Sequence, residues 1–188
     1  MVYPQELISI SGVQCSADDG ALSGYLYSKS IGFSKSYIYK FFDSKQAIGE
    51  VICANRLELI MAAVLSAIED APSASEKLRR LFKSLTEAGS ELFFHDRKLY
   101  DIAAVASREK WPSTERYTES LLKLIETIII EGRQAGEFER KTPLDEVTCA
   151  VYMVMCPYIN PVQLQYNLET APTAAVLLSS LILRSLAP

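Results

Sequence analysis

Histidine is almost missing from this chain: His95 is the only one among 188 residues, which leaves little from which to assemble a metal centre or an imidazole acid–base pair. The sequence also contains no H-E-x-x-H, no G-x-S-x-G, no phosphate-binding P-loop and no glycine-rich dinucleotide fingerprint, so no catalytic residue, metal site or cofactor is expected. Four cysteines, Cys15, Cys53, Cys149 and Cys156, lack any C-x-x-C spacing and read as buried reduced thiols rather than a disulfide frame. No uninterrupted apolar run reaches the roughly 18 residues of a bilayer span. The opening Met1-Val2-Tyr3-Pro4-Gln5-Glu6 lacks the basic start and apolar stretch of a signal peptide. A cytoplasmic protein with no membrane partner is expected. Hairpin signals and sustained alternation are absent too, which points to an all-α chain.

What is present is helical periodicity with clear punctuation. Apolar residues recur from Ile48 to Ile68 at helical spacing, predicting one long helix that ends near Asp70. Ser73 followed by Glu76 has the spacing of a capping box and opens a second helix through Leu78, Phe82, Leu85 and Leu92. Asp96 caps a third, through Leu99, Ile102 and Ala106. A strongly periodic segment from Thr114 through Leu121, Ile125 and Ile129 runs to Gly136, the expected C-terminal cap. Thr142-Pro143-Leu144-Asp145 predicts a helix capped by the threonine, and Pro157 is expected to kink or end it. The last segment, Ala171 to Leu186, is apolar on nearly every side.

One short stretch is different in kind. In Gly32-Phe33-Ser34-Lys35-Ser36-Tyr37-Ile38-Tyr39-Lys40-Phe41-Phe42-Asp43-Ser44-Lys45, Ser34 can cap a helix whose Ile38 and Phe42 turn inward. Lys35, Ser36, Tyr37, Tyr39 and Lys40 then point elsewhere, a basic, aromatic and hydroxyl-bearing face. Ser44 caps the next helix, whose first residue, Lys45, would suit a phosphate. From Lys29 to Lys45 four lysines face one acid, a local charge of +3 in a chain of −4, so the remainder carries −7. A small basic end on a larger acidic body fits a molecule that approaches phosphates with one end only.

The spacing of Gly32, Phe33, Ser34, Lys35, Ile38, Tyr39, Phe42, Ser44 and Lys45 resembles the end of the helix-turn-helix in TetR-type transcriptional regulators. The layout beyond Lys45 and the phrase Glu131-Gly132-Arg133-Gln134-Ala135-Gly136-Glu137-Phe138 are similar to the family's ligand-binding and dimerisation body. The resemblance implies an all-α protein with a DNA-binding head over residues 1–45 and a helical body over 46–188. It carries contacts to a double-stranded DNA operator onto Lys35, Ser36, Tyr37, Tyr39, Lys40 and Lys45. Residues 1–31 depart from the family pattern: Val13, Gln14, Asp18, Tyr27 and Ser28 stand where an apolar-aromatic pair, a glycine and an Ile-Ala pair are usual. The competing class is therefore a helical dimer that binds a small molecule or a partner but has no working DNA-binding head.

In the body, a small-molecule inducer would sit between helices among apolar and aromatic side chains. Phe93, Phe94, His95, Tyr100, Trp111, Tyr117, Tyr152 and Met155 are the candidates. A terminal helix apolar all round must be covered all round, so a homodimer interface is expected from Val151, Val154, Met155, Tyr158, Leu177, Leu181 and Arg184.

Overall fold

The structure, a computed structural model, describes residues 44–188. Lys35, Ser36, Tyr37, Tyr39 and Lys40, with the expected first helices of a head, lie outside the described residues. Seven helices and no strand occur among the residues described.

The first helix, α1, spans Lys45–Glu69, and the Ser44 hydroxyl accepts from the Ala47 N–H at 3.0 Å. Its length and composition are those of a bilayer span, against expectation, because only Arg56 and Glu58 are charged between Val51 and Ile68. Its apolar surface is instead shared among the three helices that follow. The second, α2, spans Ala74–His95 with Ser73 accepting from the Glu76 N–H at 3.1 Å. The box is not reciprocal, since Glu76 turns to Arg80 at 3.0 Å. The third, α3, spans Arg97–Arg108, and Asp96 caps it through the Leu99 N–H.

The α3 helix closes with Lys110 in the left-handed region at φ 53° while the Trp111 N–H reaches back to the Ala106 carbonyl at 2.9 Å. A lysine in a position that favours glycine stores strain of about 1 kcal/mol.

The fourth helix, α4, spans Pro112–Gln134. It starts two residues before Thr114, with proline at its first position. Gly136 ends it at φ +76°, and the Glu137 N–H bonds the Gly132 carbonyl at 2.8 Å. Phe138 folds back over Gly132 so closely that a Cβ there would collide with its ring. Glu137 serves two helices. Its backbone closes α4, and its carboxylate accepts from the Ala74 and Ser75 N–H groups at 3.0 Å each, at the N-terminus of α2.

The fifth helix, α5, spans Leu144–Ile159 and corrects one expectation. Thr142 does not cap it; the threonine N–H is held by the Glu139 carboxylate at 3.1 Å, and Pro143 takes the cap position without a side-chain bond. Pro157 lies inside the helix, which continues two residues further, and the Asn167 amide covers the Pro157 carbonyl at 3.2 Å. Asn160 then caps a one-turn helix, α6, at Pro161–Leu164, which no periodicity announces. The last, α7, spans Ala171–Ser185.

The main core joins α1, α2, α4, α5 and α7 through Val64, Leu81, Phe82, Ile125, Ile129, Val151, Met155 and Ile182. A second cluster gathers Ile48, Ile52, Leu92, Leu99, Tyr100 and Leu164, and a third Cys53, Ile102, Ala106 and Trp111. Cys53 is buried as expected, but Cys149 is exposed and Cys156 half-buried, because α5 turns those positions away from the core.

Burial pushes the Glu137 carboxyl upward, but hydrogen bonds from Ser75 and Ala74 outweigh it and hold the group below the usual glutamate range. The stabilisation from that charge is present above the unfolded-state value near pH 4.3 and is lost as the pH falls through the lower folded value. Glu137→Ala is expected to cost about 1 kcal/mol in urea unfolding at pH 7, and the gap from wild type should close in acid below about pH 4.

Candidate functional site

A cavity of about 850 Å³, its open mouth included, lies where the three clusters meet. On α1 the spacing of Cys53, Arg56, Leu57 and Ile60 puts all four on one side, and all four line it. From α2 come Leu85, Gly89 and Leu92; from α3, Leu99, Tyr100, Ala103 and Ser107. The N-terminal half of α4 adds Thr114, Tyr117, Thr118 and Leu121, while Tyr152, Ile159, Asn160, Pro161 and Leu164 close the remaining side. The mainly apolar lining with a few polar groups is that of a small-molecule pocket.

Polar groups on the wall are mostly held in place. The Tyr100 hydroxyl donates to the Pro161 carbonyl at 2.6 Å, the Asn160 amide donates to the Ser107 hydroxyl at 3.0 Å, and Thr118 donates back to the Thr114 carbonyl at 2.9 Å. Burial pushes the Tyr100 phenol up to about 12 and raises Tyr117 further, with the neighbouring Tyr152 adding to the latter shift. Burial also raises the Tyr152 phenol and the Cys53 thiol. Each of these groups is neutral at pH 7.

The structure brings Tyr100, Tyr117 and Tyr152 together around this cavity and places the other five sequence candidates elsewhere. Phe93 packs edge-on against Tyr100 at 4.9 Å beneath the Arg97 guanidinium, away from the lining. Phe94 is 68% exposed. His95 is exposed at the last turn of α2, where its Nδ1 sits 3.1 Å from the Glu91 carbonyl. Trp111 is buried in the third cluster and donates to Glu109 at 2.8 Å. Met155 is wholly buried in the main core. Composition located aromatic side chains but not the direction each helix turns them.

Arg56, Ser107, Thr114, Thr118 and Asn160 were missed. For Arg56 a signal existed: a single cation interrupts the apolar stripe of α1 in register with Cys53, Leu57 and Ile60. The hydroxyl and amide positions carry no comparable mark.

The surface candidates divide in the same way. Val151 and Met155, expected at an interface, face the chain's own core at 3% and 0% exposure. Tyr158 is half-buried, edge-on to Phe82. Val154 and Arg184 are exposed, as are Leu177 and Leu181 at 63% and 59%. Met153 and Val176 add to the apolar surface of α5 and α7.

One contact ties the cavity to the N-terminal half of α1. Trp111, at the N-cap of α4, has no side-chain acceptor, and Glu50 of α1 substitutes for one: it accepts from the Ser113 N–H at 2.6 Å and from the Ser113 hydroxyl at 2.8 Å. Arg116 approaches the same carboxylate at 3.7 Å.

Taken together, these features define an all-helical body with an apolar cavity between its helices. Residues 74–175, more than half of the chain, match the tetracyclin repressor-like C-terminal domain. The chain belongs to the TetR family of transcriptional regulators. Its fold is shared by a regulatory protein of that family from Rhodococcus RHA1 at 16% identity, covering 84% of this chain and 82% of the other, with a TM-score of 0.59. A ketosteroid transcriptional regulator of Mycobacterium tuberculosis is similar at 15% identity over 98% and 95% of the two chains, TM-score 0.60. A protein of unknown function from Rhodococcus sp. RHA1 is similar at 16% identity over 89% and 84%, TM-score 0.64. No curated protein matches the chain.

Glu50→Ala removes a charged acceptor from two donors at once, one of them a buried helix-terminal N–H. A loss of about 2 kcal/mol in urea unfolding is expected, and Glu50→Asp, whose shorter side chain fails to span the gap, should recover less than half of it.

Proposed function

We propose that this chain is a cytoplasmic, dimeric repressor released from its DNA operator by a small molecule bound in the cavity. The observation that supports this most directly is the double engagement of α1. Its N-terminal end, Ser44-Lys45, is the end of the DNA-binding motif, and its middle turns form one wall of the cavity. One continuous helix joins the two, with the lining residues roughly 12 to 22 Å along its axis from Lys45. A ligand that separates α1 from α4 would tilt that lever and alter the spacing of two heads in a dimer. Operator and inducer must then weaken each other's binding by the same factor.

The division of labour that follows is a head over residues 1–45 and a body over 46–188. Lys35, Ser36, Tyr37, Tyr39 and Lys40 act on DNA in this reading, and Lys45 reaches a phosphate from the first, exposed turn of α1. The dimer forms through the outward side chains of α5 and α7, chiefly Val154, Leu177 and Leu181, with Arg184 at the rim.

In an electrophoretic shift with the DNA flanking its own gene, the wild type is expected to form a retarded complex, and Lys45→Ala to weaken it. The slope of log affinity against log salt should fall by about one unit. Unchanged affinity and slope would remove Lys45 from the contacts, and no shift at any salt would favour the competing headless class. Separately, the pair L177E and L181E should convert a dimer to a monomer in light scattering at micromolar concentration, with helical content retained. A wild type already monomeric under those conditions contradicts the interface.

A further inference from the structure

Among the described residues, Arg56 is the only cation on the cavity wall, and no Asp or Glu lines it. Its Nε is buried without a hydrogen-bond partner, and no ion pair among the described residues includes it. The position is dictated by the helix, since Cys53, Leu57 and Ile60 on either side in the same stripe are committed to the cavity. Burial keeps the Cys53 thiol and the three tyrosines protonated, so nothing else on the wall offsets the guanidinium. An arginine is cationic throughout the physiological range. A buried Nε–H without an acceptor is unfavourable, and an anion entering with the ligand supplies the missing acceptor.

We propose that the cavity takes an apolar organic acid, with its carboxylate on Arg56 and its hydrocarbon among Leu85, Leu92, Leu99 and Leu121. This rests on the reading of the cavity as the effector site. The planar fork of a guanidinium matches the two oxygens of a carboxylate. A lone cation favours a singly charged head over a phosphate, whose second charge would find no partner on the wall.

The test is calorimetric titration of the full chain with octanoate and with octanol, which differ only in the head group. Octanoate is expected to bind roughly tenfold or more tightly than octanol. Arg56→Gln should bring octanoate down to the level of octanol and leave octanol unchanged, which also reports that the variant is folded. Arg56→Lys, keeping the charge without the fork, should retain part of the preference. Equal affinity of the two probes for wild type, a comparison that needs no variant, overturns the proposal while leaving the cavity as a ligand site. Persistence of the preference in R56Q does the same. Binding of neither probe at millimolar concentration overturns the effector-site reading and this proposal with it.

Discussion

The carboxylate of Glu50 at the start of α4 is the contact on which the site depends. A helix leaves its first N–H groups without intrahelical acceptors, and α4 begins at a tryptophan that offers none. The acceptor arrives from α1, so the two helices that flank the cavity meet in a defined register near the N-terminal end of each. Glu137 does the same at the other pole, closing α4 with its backbone and opening α2 with its side chain. Both arrangements replace a local cap with one from a distant element, and both thereby convert the satisfaction of a helix end into a tertiary restraint. Loss of either would loosen the angle between helices before it emptied the core, since the aliphatic clusters in between are non-directional.

Much of the scaffold was legible because its punctuation is local. Ser44, Ser73, Asp96 and Gly136 do what their types and positions imply, since a hydroxyl or carboxylate cap and a positive-φ glycine need only neighbours in sequence. The misreadings lie around α5 and α6, each with its own cause. Thr142 is held by its N–H on Glu139, and Pro143 takes the cap position. Pro157 lies two residues before the end of α5, and Asn167 covers its carbonyl. The α6 turn has too few residues to show a period.

The cavity was less legible than the scaffold. Its three tyrosines were among the candidates for their size and polarity, but a list of aromatics cannot separate Tyr100, which lines the cavity, from Phe93, which meets its ring edge-on. The same limit governs α5 and α7. Helices apolar on all sides give no moment by which to choose inward from outward, so Met155 and Leu177 read alike although one is sealed in the core and the other lies in the open. The lysine and tyrosine motif, recognised from spacing, belongs to residues outside those described.

The void itself has a consequence for how the protein can be studied. Side chains that line the cavity gain dispersion contacts when a ligand enters it, so the liganded fold withstands heat better than the free one. Any compound that fills the space and ignores the denatured chain stabilises the fold by mass action, about 2.7 kcal/mol at a hundredfold excess over its dissociation constant. The molecule thus carries its own detector, and its thawed or hardened thermal profile in the presence of unsorted metabolites becomes a direct search for its natural effector.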